Sequence, residues 1–305
     1  MAKKAKGTFK SVAGEKEYID CYDSILRRWP VSTEEIRLPT SYGETNVIVS
    51  GKDGQPSIAL LHPLSTGSAM WNFGIKTLSK HHRVYAIDTI GNAGKSRATR
   101  LPQIADEYSM WLNEVFEHLG LNEVILIGAS YGGSIALRYA INRQDKINRM
   151  ILLFPPFGLV RTKPSLILKI LPFSFGMNEK KAEKLLSLMC SNISQLDEDL
   201  RRLLVLSTLH FTPYTLVMKP CSDKDLQNIK VPLTFIVGEE EILFDRKQAV
   251  ERMKRNISQC KNIVIPGMKH IGTKEELAEI NEILDATLHR ESSGGTSEPL
   301  ERRRV

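Results

Sequence analysis

The spacing of apolar positions changes along the chain, and the changes divide it into parts. Tyr18, Tyr22, Ile25 and Trp29 recur at helical spacing until Pro30, which predicts one amphipathic helix over about 14–29. Glu35–Leu38 and Asn46–Val49 then alternate apolar with polar residues on either side of Ser41-Tyr42-Gly43, the pattern of a β-hairpin with one solvated face. Beyond it come short unbroken apolar runs at Ile58–Leu61, Val84–Ile87, Val124–Ile127, Met150–Leu153, Leu233–Val237 and Ile263–Ile265. Their texture is that of strands buried on both faces. Helical patterns at about 69–80, 104–119, 132–143, 245–256 and 273–288 lie between them. This repeated βα order predicts an α/β fold with a mostly parallel eight-stranded sheet and, from right-handed crossovers, helices on both sides.

The rhythm fails between Phe154 and Val231, where a Pro-rich stretch leads into helical patterns at Lys180–Cys190 and Leu196–Leu206. An inserted helical cap is expected there. The division that follows is a tail and helix over 1–33, a core over 34–154 and 232–290, a cap over 155–231, and a second tail over 291–305. The Lys-rich residues 1–13 and the Ser-, Gly- and Pro-rich end bury too little apolar surface to order themselves, and are expected to be disordered.

The chain has 305 residues and a formal net charge of +7. Much of that charge sits in Lys3, Lys4, Lys6, Lys10 and the Arg-containing C-terminal end, so the body is close to neutral and no nucleic-acid partner is expected. Cys21, Cys190, Cys221 and Cys260 are scattered, without the spacing of a zinc site or a disulfide framework. The N-terminus lacks the apolar stretch of a secretory signal, and no apolar run approaches the length of a membrane span. A cytoplasmic location without stable membrane insertion is expected, and nothing in the residues sets the oligomeric state.

Chemistry enters at Gly128-Ala129-Ser130-Tyr131-Gly132, a G-x-S-x-G between an apolar strand and a helical pattern. A strand-to-helix turn this tight strains the backbone of Ser130 and leaves no room for side chains at the flanking glycines. It also lifts the Ser130 hydroxyl clear of the sheet, near unpaired N–H groups at a helix N-terminus. The amide of Tyr131 offers one oxyanion donor. Serine alone is a poor nucleophile and needs a histidine base and a carboxylate, in the chain order Ser, acid, His. Only His270, in Pro266-Gly267-Met268-Lys269-His270, follows the last strand closely enough; His62 precedes the nucleophile, and His81, His82, His118, His210 and His289 lie in helical or connecting segments. For the acid, Glu239, Glu240 and Glu241 all follow the run 233–237. Asp245 is a further candidate, although its place before a helical pattern suits an N-cap.

With these motifs the chain, over about residues 33–290, resembles the α/β-hydrolase superfamily, and in particular its bacterial carboxylesterase-like members. The resemblance implies the α/β-hydrolase fold and places the triad acid at the end of a G-x-x-acid segment, which falls on Glu241, where most members carry Asp. It also implies a second oxyanion donor in His62-Pro63-Leu64-Ser65-Thr66, similar to a His-Gly-x pattern with Pro63 in place of glycine; the matching donor is the Leu64 amide. Asp88-Thr89-Ile90-Gly91-Asn92-Ala93-Gly94-Lys95-Ser96 has the look of a phosphate-binding loop but carries Thr89 where that loop needs glycine. The family has a structural turn there.

The reaction expected is attack of Ser130 on an ester carbonyl, with proton transfer to His270 and release of the acyl group by water. No metal or organic cofactor is called for. Phe154, Phe157, Leu159, Leu166, Ile167, Leu168, Ile170, Leu171 and Phe173 make the start of the insertion apolar, which suggests a lid over a pocket for a hydrophobic small-molecule ester. Acyl or peracid transfer and carbon–carbon bond hydrolysis would use the same triad. A ligand-binding protein without activity is the reading from another class, prompted by Pro63 and Glu241.

Overall fold

The computed structural model describes residues 7–163, 165 and 176–289. Most of the apolar stretch named above, Leu166 to Phe173, and both chain ends fall outside these residues. The chain begins with a short strand β1 (Thr8–Phe9) and helix α1 (Val12–Arg27), capped by the Ser11 side chain accepting from the Gly14 amide. Order therefore starts earlier than the Lys-rich composition suggested, because β1 pairs antiparallel with a distant strand at Phe211–Thr212. Composition cannot register such a partner.

The hairpin follows as β2 (Thr33–Thr40) and β3 (Gly43–Ser50), then β4 (Ser57–Leu61). Where one helix was expected at 69–80, the chain forms a 3-10 segment, Ser68–Phe73, and a single-turn helix α2 (Ile75–Leu78). Gly74 separates them, the residue type that most weakens a helix interior apart from proline. Next come β5 (Arg83–Ile87), β6 (Arg97–Ala98), α3 (Ala105–His118), β7 (Val124–Ala129), α4 (Tyr131–Arg143) and β8 (Ile147–Leu153). The insertion contributes α5 (Glu179–Met189), α6 (Glu198–His210), β9 (Phe211–Thr212) and α7 (Asp223–Gln227). The chain closes with β10 (Leu233–Gly238), α8 (Arg246–Asn256), β11 (Cys260–Ile265) and α9 (Lys274–His289).

Strand order in the main sheet is β11-β10-β8-β7-β4-β5-β3-β2, with β6 pairing β3 off this path. Pairing is parallel from β11 to β5, and antiparallel where β3 meets β5 and β2. The unbroken apolar runs are explained by two helical layers. In β4, Ala59 and Leu61 face a core with α3, α4 and α8, while Ile58 and Leu60 face a core with α1, the 3-10 segment, α9 and the insertion helices. Each such Ile or Leu stabilises the fold by roughly 1.5–3 kcal/mol through burial.

Helix α1 lies in the second layer, burying Tyr18, Tyr22 and Ile25 within its own chain. It approaches α6 so closely that a Cβ on Gly14 would sit 2.6 Å from His210 Nδ1. Ion pairs of 2.8 Å between Glu17 and Arg202 and 2.5 Å between Arg28 and Asp199 cross this contact, with the Lys10 ammonium donating to the Thr208 and Leu209 carbonyls. The insertion is thus tied to the N-terminal segment. Among the described residues no helix is long and apolar enough to cross a membrane.

Candidate active site

Ser130 links β7 to α4 with φ 48° and ψ −116°, a left-handed backbone that a non-glycine residue holds only when its surroundings enforce it. Its amide donates to the Leu153 carbonyl of the next strand at 2.8 Å, and its carbonyl accepts from Ser134 in the first turn of α4. The flanking glycines are sterically required. A Cβ on Gly132 would lie 2.2 Å from the Leu61 carbonyl oxygen, and one on Gly128 would lie 2.5 Å from that of Gly132.

His270 reaches this edge because its loop folds over the end of β10. Gly238 leaves no space for a side chain there, since a Cβ would be 2.3 Å from the Met268 carbonyl oxygen. The Glu239 and Glu240 amides donate to the carbonyls of Ile265 and Met268, so the segments that carry Glu241 and His270 are bound to each other. His270 Nε2 then lies 2.8 Å from Ser130 Oγ, and Nδ1 lies 2.8 Å from Glu241 Oε2. The other oxygen of Glu241 accepts the Leu243 amide at 2.7 Å. All three side chains are buried.

Of the other acid candidates, Glu239 and Glu240 are exposed, and Asp245 accepts the Gln248 amide as the N-cap of α8. Glu241 alone of the four makes a hydrogen bond to His270. Phe154, expected from the sequence only as part of an apolar lid, directly follows β8 at φ 42° with its ring edge-to-face against His270, centroids 5.3 Å apart. The following Pro155-Pro156 marks a bend there, but only the packed structure shows which ring it brings into contact.

Tyr131 opens α4, and as the first helical residue its N–H has no carbonyl four residues back within the helix. Its phenol accepts from the Leu216 amide at 2.9 Å, and burial pushes its pKa up to about 12, so it stays neutral. Close approach of Gly132 to the Leu61 and His62 carbonyls sets this helix end against the loop that carries Leu64. In that loop the Thr89 amide donates to His62 Nε2 at 2.9 Å, which leaves the proton of the neutral ring on Nδ1, donating to the Pro63 carbonyl at 2.7 Å. Burial lowers the His62 pKa, partly opposed by the charge of Asp88. The left-handed turn of this loop falls on Ser65, at φ 67°.

The segment 88–96 centres on a fully buried carboxylate. Asp88 accepts from the Tyr22 hydroxyl, the Asn46 amide group and the Ser68 and Lys95 amides. A negative group in the middle of the turn opposes phosphate binding, in line with its structural role in the sequence reading. Among the described residues no cluster of three or more His, Cys, Asp or Glu side chains is placed to hold a metal ion.

A mostly parallel sheet, helices on both faces and a strained, serine-bearing strand-to-helix turn at its C-terminal edge make up the α/β-hydrolase fold. A family model described as the alpha/beta hydrolase fold matches residues 56–183. Along nearly its whole length the chain is similar to bacterial carboxylesterases. It is 26% identical to carboxylesterase YbfK of Bacillus subtilis over 90% of this chain and 94% of that protein. It is also 26% identical to the uncharacterized carboxylesterase nap of the same organism, over 87% of this chain and 90% of that one. The crystal structure of naproxen esterase from Bacillus subtilis superposes with a TM-score of 0.83 at 24% identity, covering 92% of this chain and all of that one.

Proposed function

We propose that this protein is a serine hydrolase that cleaves carboxylic esters of small molecules through an acyl-enzyme. The observation that carries the proposal is the buried relay from Ser130 Oγ to His270 Nε2 and from His270 Nδ1 to Glu241 Oε2, each step 2.8 Å, at a strained strand-to-helix turn. Ser130 attacks the ester carbonyl while His270 takes its proton, and Glu241 holds the ring in the tautomer with Nδ1–H and stabilises the imidazolium. The amides of Tyr131 and Leu64 receive the oxyanion. His270 returns its proton to the departing alcohol, then activates the water that releases the acid. Ester hydrolysis also fits the carboxylesterases to which the chain is similar along nearly its whole length. A cytoplasmic setting belongs to the same proposal and is supported by four cysteines that are all unpaired.

Intact-mass spectrometry after fluorophosphonate treatment tests it. One adduct on the wild type and none on Ser130→Ala is expected, with p-nitrophenyl ester turnover in the mutant lowered by about 10⁶. A folded wild type without adduct or turnover would overturn the reading. Product analysis in the presence of alcohols or peroxide separates hydrolysis from acyl or peracid transfer.

A further inference from the structure

We propose that Asn92, with Thr66, is a positioning residue that aims the Leu64 amide at the oxyanion; the inference rests on the serine-hydrolase reading above. The Pro63 carbonyl and the Leu64 N–H belong to one planar trans peptide and point in opposite directions, so whatever fixes the carbonyl aims the amide. That carbonyl accepts from His62 Nδ1 at 2.7 Å and from Thr66 Oγ1 at 3.0 Å. Hydrogen bonds to the carbonyl also polarise the peptide and make its N–H a stronger donor.

The other side of Leu64 is held by Asn92. Its Oδ1 accepts the Ser65 amide at 2.8 Å and the Ala93 amide at 3.2 Å. Proline fixes its own φ, so the loop makes its left-handed turn one residue beyond Leu64, at Ser65, where φ is 67° and the residue is not glycine. Such a backbone persists only when its neighbours over-determine it, and the Asn92 oxygen is the side-chain acceptor that does so here. Asn92 is only 3% exposed, and its Nδ2 has no partner among the described residues. The side chain therefore serves through its oxygen alone. Leu64 is left between two peptides that cannot turn, which substitutes for the glycine freedom removed at position 63.

The test is steady-state hydrolysis of p-nitrophenyl butyrate by wild type, Asn92→Ala, Asn92→Asp and Thr66→Val, with fluorophosphonate labelling and thermal midpoints alongside. A misaimed oxyanion donor weakens the transition state and not the bound ester. Asn92→Ala is expected to lower kcat about 10- to 100-fold with KM within about twofold. Asn92→Asp, which keeps an acceptor for both amides, is expected to fall between Asn92→Ala and wild type. Thr66→Val keeps the shape and removes one bond to the Pro63 carbonyl, for an expected kcat loss of about 3- to 10-fold; it carries the test if Asn92→Ala does not fold. An Asn92→Ala protein with kcat within about twofold of wild type, or with its loss confined to KM, overturns the inference and leaves the serine-hydrolase reading intact. A wild type that neither labels at Ser130 nor turns over ester overturns both.

Discussion

Replacing Glu241 by glutamine tests the triad in a way that the second oxygen of the carboxylate makes specific. Glu241 Oε1 accepts the Leu243 amide at 2.7 Å, while Oε2 faces His270 Nδ1 at 2.8 Å. Glutamine has one oxygen. If that oxygen stays on the Leu243 N–H, the NH₂ group meets Nδ1, forces the proton to Nε2 and leaves His270 unable to accept from Ser130. If the amide turns over, a buried donor faces the Leu243 N–H, at a cost of about 1–3 kcal/mol. Loss of the charge that stabilises the imidazolium costs about 1.5–3 kcal/mol more. At about 1.4 kcal/mol per tenfold, kcat should fall about 10²- to 10⁴-fold with KM little changed. An asparagine in an unrelated triad costs about 10⁴. Glu241→Asp keeps the charge but cannot reach both donors without backbone movement, and is expected to lose about 10- to 100-fold. The control is Asp245→Asn, an equally good N-cap, expected to stay within about twofold of wild type. Initial rates on p-nitrophenyl butyrate, with thermal midpoints to confirm folding, decide the matter. Glu241→Gln within about threefold of wild type, or a larger loss in Asp245→Asn, would refute the assignment.

Two further predictions concern the buried polar groups of the scaffold. Tyr22→Phe removes a hydroxyl that donates to the buried Asp88 and should lower unfolding free energy by about 1–3 kcal/mol, whereas Tyr18→Phe, whose hydroxyl has no partner among the described residues, should be neutral or stabilising in the same urea titration. Equal losses in both would contradict the role given to Tyr22. His62 has its folded pKa below the usual 6.5, so below that pH the unfolded state binds a proton that the folded state refuses. Stability from this group is complete above about 6.5 and is lost as pH falls toward the folded pKa, by at most about 1.4 kcal/mol per pH unit. Urea titrations at pH 7.5 and 5.5 should show a steeper decline for wild type than for His62→Asn, and parallel declines would count against the buried neutral imidazole.

The parts of this fold that are legible in sequence are those fixed by local pattern. Ile58–Leu61 reads as a two-sided strand because both its faces are covered, and Gly128 to Gly132 reads as a tight turn because glycine is the residue that fits. His270 follows from its place after the last strand. What the pattern cannot carry is approach in space. The pairing of Thr8–Phe9 with Phe211–Thr212 joins residues two hundred positions apart, and without it a Lys-rich start looks unstructured. The helix expected at 69–80 has the right apolar content, yet Gly74 outweighs it and the segment breaks in two. Pro63 looked like a constraint on the oxyanion loop, and the relief for it lies in Ser65 and in Asn92, whose side chain comes from a different turn.

The use of glutamate at position 241 fits the local geometry in the same terms. Gly238 meets the His270 loop without space for a Cβ, and the next two amides, of Glu239 and Glu240, are given to carbonyls of β11 and of that loop. The segments that carry Glu241 and His270 are thereby joined in one hydrogen-bonded unit. The position of the Glu241 backbone is set by this docking, and its side chain must span from there to Nδ1 while also accepting the Leu243 amide that follows it in the chain. One carboxylate oxygen for each donor satisfies both. The extra methylene of glutamate supplies the reach, and the Leu243 bond restricts the rotation that the longer side chain would otherwise allow. On the proposed reading, the longer side chain of Glu241 is held in place by a partner two residues further along the chain.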